Sequence, residues 1–159
     1  GFFYMISYRH RKYCSFIVDT SSHEVMIQWK KACRHEMVDL PDSLWLQLKA
    51  TIAEYFTGFN LLSVPAPSFH TYRHYPIWII AERISSIFQL PLVNLFPENS
   101  GKTKMQVFGS CGKTVQDINL EPGKFILILD DIYTTGHTMR VSCEAIIRKG
   151  SFPAALAIG

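Results

Sequence analysis

Five consecutive apolar residues, Phe125–Leu129, run straight into Asp130-Asp131, and from there through Ile132-Tyr133 into Thr134-Thr135-Gly136-His137-Thr138. A strand that is apolar at every position has no face to give to water. It belongs inside a sheet covered on both sides, as parallel sheets are. Behind the turn, Met139, Cys143, Ile146 and Ile147 recur at helical spacing before Arg148-Lys149-Gly150 ends the run. Another strand is expected at Ala154–Ile158, which completes a strand–turn–helix–strand unit. Ligands of such sheets bind beyond the carboxyl ends of the strands, where this chain carries its acids, threonines and glycine.

The chain before it reads as two helices, and strand and helix alternate from Asn60 onward. Ser21-x-x-Glu24 predicts a capping box and a helix to about Met37, with Val25, Trp29, Ala32 and Cys33 on its apolar face. Pro41-Asp42 opens a second helix, carrying Trp45, Leu48, Ile52, Tyr55 and Phe56 at helical spacing up to Gly58. Asn60–Val64 reads as a strand broken by Pro65-Ala66-Pro67. Pro76 suits a helix first turn, followed by Ile77, Ile80, Ala81, Ile84, Ile87 and Phe88, and Leu92–Phe96 suggests a short strand. Pro97 to Gly123 shows no sustained period; irregular stretches of this length are commonly either functional lids or disordered insertions. The expected fold is α/β, with a mostly parallel central sheet flanked by helices. One domain spans residues 1–159: an N-terminal helical region over 1–59 and a core over 60–159.

Composition narrows the classes. A chain that is 48% hydrophobic and 18% charged can bury a core, and a formal charge of +3 is too small to argue for nucleic acid. No stretch approaches the ~18 consecutive apolar residues of a membrane span. Gly1-Phe2-Phe3-Tyr4 lacks the basic flank of a signal peptide, and Met5 is a candidate start. Cys14, Cys33, Cys111 and Cys143 are dispersed, without the paired spacing of a zinc module, which suits reduced thiols and a cytoplasmic protein. Gly101-Lys102-Thr103 resembles the end of a P-loop, but Phe96 stands where the loop's first glycine belongs.

At the end of a buried strand, two carboxylates can accept hydrogen bonds from vicinal sugar hydroxyls or hold the water shell of magnesium. The Thr-Thr-Gly-His-Thr turn offers hydroxyl donors and a close backbone approach at a helix start, which is an anion site. Diol acceptors followed directly by a phosphate cradle suit a ribose 5-phosphate. A threonine-rich helix cap flanked by capping acids is the plain alternative; it accounts for neither the adjacent acids nor the glycine.

The thirteen residues Ile126–Thr138 resemble the phosphoribosyl pyrophosphate signature of type I phosphoribosyltransferases. Within that superfamily they look most like the ComF family, the competence-associated phosphoribosyltransferase-like proteins. Val64-Pro65-Ala66-Pro67 resembles the strand exit at the family's pyrophosphate loop, Thr103-Lys104-Met105-Gln106 its mobile-loop element, and Ile27-Gln28-Trp29-Lys30 its N-terminal apolar-then-lysine helix.

The resemblance implies a small-molecule phosphoribosyl donor, magnesium, and transfer of the phosphoribosyl group to a nitrogen acceptor with release of pyrophosphate. It implies that Asp130 and Asp131 hold the ribose hydroxyls and, through water, the metal, with no direct protein ligand to it. Thr134, Thr135, Gly136, His137 and Thr138 would hold the 5-phosphate. Ala66, Pro67 and Ser68, with the loop residues Lys102, Thr103, Lys104 and Gln106, would meet the pyrophosphate. It also implies that residues 1–59 act as a hood that selects the acceptor. No membrane or direct nucleic-acid partner is expected, and a homodimer is compatible with the family. The chain lacks the paired cysteines with which the family often begins, and Thr134 stands where several purine transferases carry an acid. The alternative is therefore a non-catalytic protein that reads the same donor, or a nucleotide, in a regulatory or competence-accessory role.

Overall fold

In a computed structural model, residues 1–65, 76–96 and 118–159 are described. Five strands form one sheet: β1 (Phe2–Tyr8), β2 (Arg11–Ile17), β3 (Leu61–Ser63), β4 (Phe125–Asp130) and β5 (Phe152–Ala157), in the spatial order β1-β2-β5-β4-β3. Strands β2, β5, β4 and β3 pair in parallel, and β1 closes the edge antiparallel to β2. The helices are α1 (His23–Ala32), α2 (Asp42–Tyr55), α3 (Pro76–Phe88) and α4 (His137–Arg148). This is the α/β architecture expected, with a mostly parallel sheet flanked by helices.

Alternation along β4 divides the core. Leu127 and Leu129 pack with Met26, Trp29, Leu48, Ile52, Ile80 and Ile84 from α1, α2 and α3. Ile126 and Ile128 pack instead with Met139, Cys143, Ile146 and Ile147 from α4. All four β4 side chains are fully buried. At ~1.5–3 kcal/mol each, their burial is worth roughly 6–12 kcal/mol, comparable to the net stability of a whole domain. The end of β4 is therefore a firm platform for whatever follows it.

Several expectations need correction. The N-terminal region is not helical throughout, because β1 and β2 form a hairpin that extends the central sheet, Phe2 pairing with Ile17 and Tyr8 with Arg11. Ser21 does not open a capping box. Asp19 instead accepts hydrogen bonds from Ser21 N–H at 2.9 Å and from the Ser21 and Ser22 hydroxyls, capping a 3₁₀ turn at Thr20–Ser22. Helix α1 then ends at Ala32, short of Met37, and rotation of its face buries Met26, Trp29 and Cys33 while leaving Val25 and Ala32 exposed. Tyr55 and Ile87 likewise point to solvent from α2 and α3. Leu92–Phe96 contributes a single parallel bridge, Leu92 to Leu62, in place of a strand. Proline at position 91 has no N–H to extend that ladder, although its carbonyl accepts from Leu62 N–H at 2.8 Å.

Among the described residues, no helix is long and apolar enough to cross a membrane. Cys14, Cys33 and Cys143 are free thiols.

Candidate functional site

The segment after β4 is stitched to the end of β5. Ile158 N–H donates to Asp130 O, Gly159 N–H to Asp131 O, and Tyr133 N–H to Gly159 O at 2.8 Å. These bonds continue the parallel ladder beyond the strand proper and hold Asp130–Tyr133 against the sheet. The chain then turns at Gly136, whose φ of +76° lies in the left-handed region open to glycine at little cost. Gly136 is the N-cap of α4, and its carbonyl accepts the Arg140 N–H at 2.9 Å. No side chain caps this end, although Thr135 Oγ1 accepts the His137 N–H at 3.3 Å. The first turn of any helix has amides with no carbonyl inside the helix to bond, and its dipole favours an anion there.

The result is a shallow, open concave cradle lined by Asp130, Ile132–Met139 and nothing from other segments among the described residues. Asp130, Thr134, Thr135, Gly136, His137 and Thr138 all contribute to its wall. A strand-end carboxylate, exposed threonine hydroxyls and helix-start amides are thus gathered around one opening. This arrangement can accept hydrogen bonds at one rim and donate them at the other.

The two acids part company. Strand alternation turns Asp130 toward the α4 side and Asp131 toward α1. Asp131 is almost completely buried; its Oδ2 lies 3.3 Å from Lys30 Nζ on α1, and its Oδ1 accepts the Ile132 N–H at 2.7 Å. Both carboxylate oxygens therefore have partners within the protein. Asp130 is half-buried, and its Oδ1 accepts the Asp131 N–H at 2.8 Å. Burial lifts the Asp130 carboxyl well above the ordinary carboxylate range, and the adjacent Asp131 charge pushes it the same way, against a smaller pull from Lys30. A carboxyl poised in this way gains from any cation or hydroxyl donor that reaches it.

Ala66, Pro67, Ser68, Lys102, Thr103, Lys104 and Gln106 lie outside the described residues. Two features escaped the sequence reading. Lys30 reaches Asp131 across about a hundred positions, which no local pattern reveals. Tyr133 lines the cradle and folds beneath Gly136, so that a Cβ at position 136 would come within 2.7 Å of Tyr133 Cζ. Among the described residues no three His, Cys, Asp or Glu side chains form a metal-binding group.

Compared with protein-family models, with curated proteins and with solved structures, the chain matches none.

Proposed function

We propose that this protein binds the 5-phosphate of a phosphoribosyl donor, 5-phosphoribosyl 1-pyrophosphate, in the Thr134–Thr138 cradle, and transfers the phosphoribosyl group to a nitrogen acceptor. The observation that carries the reading is the cradle itself: Asp130 and Thr134–Thr138 line one opening at the carboxyl end of a central strand, with Gly136 left-handed at the start of α4. The resemblance of Ile126–Thr138 to the type I phosphoribosyltransferase signature, and to the ComF family within it, supports the same reading.

In this reading the helix start and threonine hydroxyls hold the phosphate, and Asp130 accepts from a ribose hydroxyl. Binding energy far from the anomeric carbon then orients it for reaction. The bond from that carbon to pyrophosphate breaks, a carbon–nitrogen bond forms, and the acceptor's proton is released to solvent. Magnesium, when bound, would offset the charge of the pyrophosphate. The described residues suit it only as a partner held by the donor's own oxygens and water, with Asp130 reaching it through water. Acceptor choice would fall to residues 1–59, whose helix α1 meets the end of β4 through Lys30.

A second reading, a sensor that binds the donor without turning it over, is favoured by one observation. Asp131 already has both carboxylate oxygens engaged, and Thr134 offers no titratable group beside the cradle. One assay separates the readings. Both expect the donor with magnesium to raise Tm, and to do much less after chelation. Only the enzyme releases pyrophosphate in a manner that depends on an added nucleobase. Absence of any stabilisation would reject both.

A further inference from the structure

We propose that Tyr133 and Tyr4 are positioning residues for the phosphate cradle, which makes the N-terminal hairpin a working part of the ligand site as well as an edge of the sheet. The inference rests on the reading of the cradle as a phosphate site and extends it to a segment more than a hundred residues away in sequence.

Tyr133 stands three residues before Gly136, and its side chain lines the same cavity. Its side chain folds back under the turn, so that a methyl group on Gly136 would meet the Tyr133 hydroxyl first, and then Cζ at 2.7 Å and Cε2 at 2.9 Å. The aromatic ring therefore lies directly against the left-handed residue, and its tilt limits how Gly136 and the amides after it can shift. Backbone donors to an anion lose strength steeply when their angle is wrong, so this tilt bears on binding.

Two contacts fix the ring. At its own backbone, the Tyr133 N–H donates to Gly159 O at 2.8 Å. At its tip stands Tyr4 of β1, edge-to-face, with ring centroids 5.8 Å apart and planes at 79°. Tyr4 shares its side of the hairpin with Tyr13, being opposite Ser15 in register and two residues before Ile6, which pairs with Tyr13. The hydroxyls of Tyr4 and Tyr13 are both buried, and that of Tyr4 lies beside the Ser15 and Tyr133 hydroxyls without a well-aligned hydrogen bond to either. Burying a weakly paired hydroxyl is unfavourable, so ring contacts help hold Tyr4 in place, and Tyr133 supplies one. Burial also pushes the Tyr4 hydroxyl up to about 12, so it stays neutral and sets no negative charge beside an anion site.

The two rings couple hairpin docking to ligand binding: what steadies Tyr133 steadies the cradle, and the reverse follows by linkage. The test is calorimetric titration of the full chain with ribose 5-phosphate. Tyr4→Leu should bind about tenfold more weakly, the loss expected from one misaligned hydrogen bond to a charged group. Tyr4→Phe keeps the ring and should stay within about twofold of the parent on the same basis. Ile6→Ala, on the same strand but packed on the core beneath α4, should lower Tm while leaving affinity unchanged. Saturating ribose 5-phosphate should also slow amide exchange across Phe2–Tyr8. Should Tyr4→Leu not fold, Tyr133→Leu carries the same expectation. Parental affinity in both leucine variants would overturn the proposal while leaving the phosphate site standing. Failure of the parent itself to bind would overturn both.

Discussion

Gly136→Ala is the change whose cost the structure lets one work out in parts. A φ of +76° costs an L-residue about 1–2 kcal/mol relative to glycine. The new methyl would also clash with the Tyr133 hydroxyl and with its Cζ at 2.7 Å, closer than carbon atoms approach, so the side chain must swing away. Swinging away gives up its edge-to-face contact with Tyr4, worth about 0.5–1.5 kcal/mol. The sum is about 1.5–3.5 kcal/mol, measured as the loss of unfolding free energy in urea. Tyr133→Ala in the same chain removes the obstruction and leaves only the backbone term. The double variant should therefore lose less than the sum of the two single variants, by about the ring-contact energy of ~1 kcal/mol. Sulfate binding should fall with the first variant and recover only in part in the double variant. If Gly136→Ala is as stable as the parent, the turn does not depend on a left-handed glycine and the reasoning fails.

Two further predictions follow from the paired acids. Lys30→Met leaves Asp131 buried without its cation. A fully buried broken pair costs ~3–5 kcal/mol, but Lys30 is 30% exposed, so about 1–3 kcal/mol of coupling is expected in a double-mutant cycle with Asp131→Asn; strictly additive losses would contradict the pair. Asp130 has its folded-state pKa raised, so the native chain binds its proton more tightly than the unfolded one. Its contribution is fully present below the ordinary carboxylate range and is lost as pH rises through the raised value. Asp130→Asn should therefore gain stability on the parent as urea unfolding is repeated from pH 4 upward; parallel curves would refute the shift.

The elements legible in the sequence were those whose signal is local and strong. The unbroken apolar run of β4, the Pro76 helix start and the helical spacing behind Gly136 each specify an element without help from the rest of the chain. The hairpin was not legible because its turn breaks the usual chemistry. Arg9 and His10 hold φ of +49° and +62°, where Asn-Gly or a similar pair would normally announce a two-residue turn. The aromatic and β-branched runs on either side of that pair were the available signal. The capping box misled because Asp19 outcompetes Ser21 for the role, satisfying the Ser21 amide with a charged acceptor. At the site, period-two alternation already implied that adjacent Asp130 and Asp131 face opposite sides of β4. Which side carries the α4 cradle and which carries Lys30 depends on how distant helices pack, and no window of sequence holds that information.

The central claim, that Thr134–Thr138 is a phosphate cradle whose rim acid reads ribose, is tested most directly by an NMR titration of backbone amides with ribose 5-phosphate, followed by 2-deoxyribose 5-phosphate. The account predicts saturable shifts concentrated on Thr134–Thr138 for both sugars. The deoxy sugar should bind roughly fivefold to tenfold more weakly, as loss of one hydrogen bond to the rim acid implies. Saturable binding that leaves those five amides unmoved, or no binding by either sugar, would contradict it.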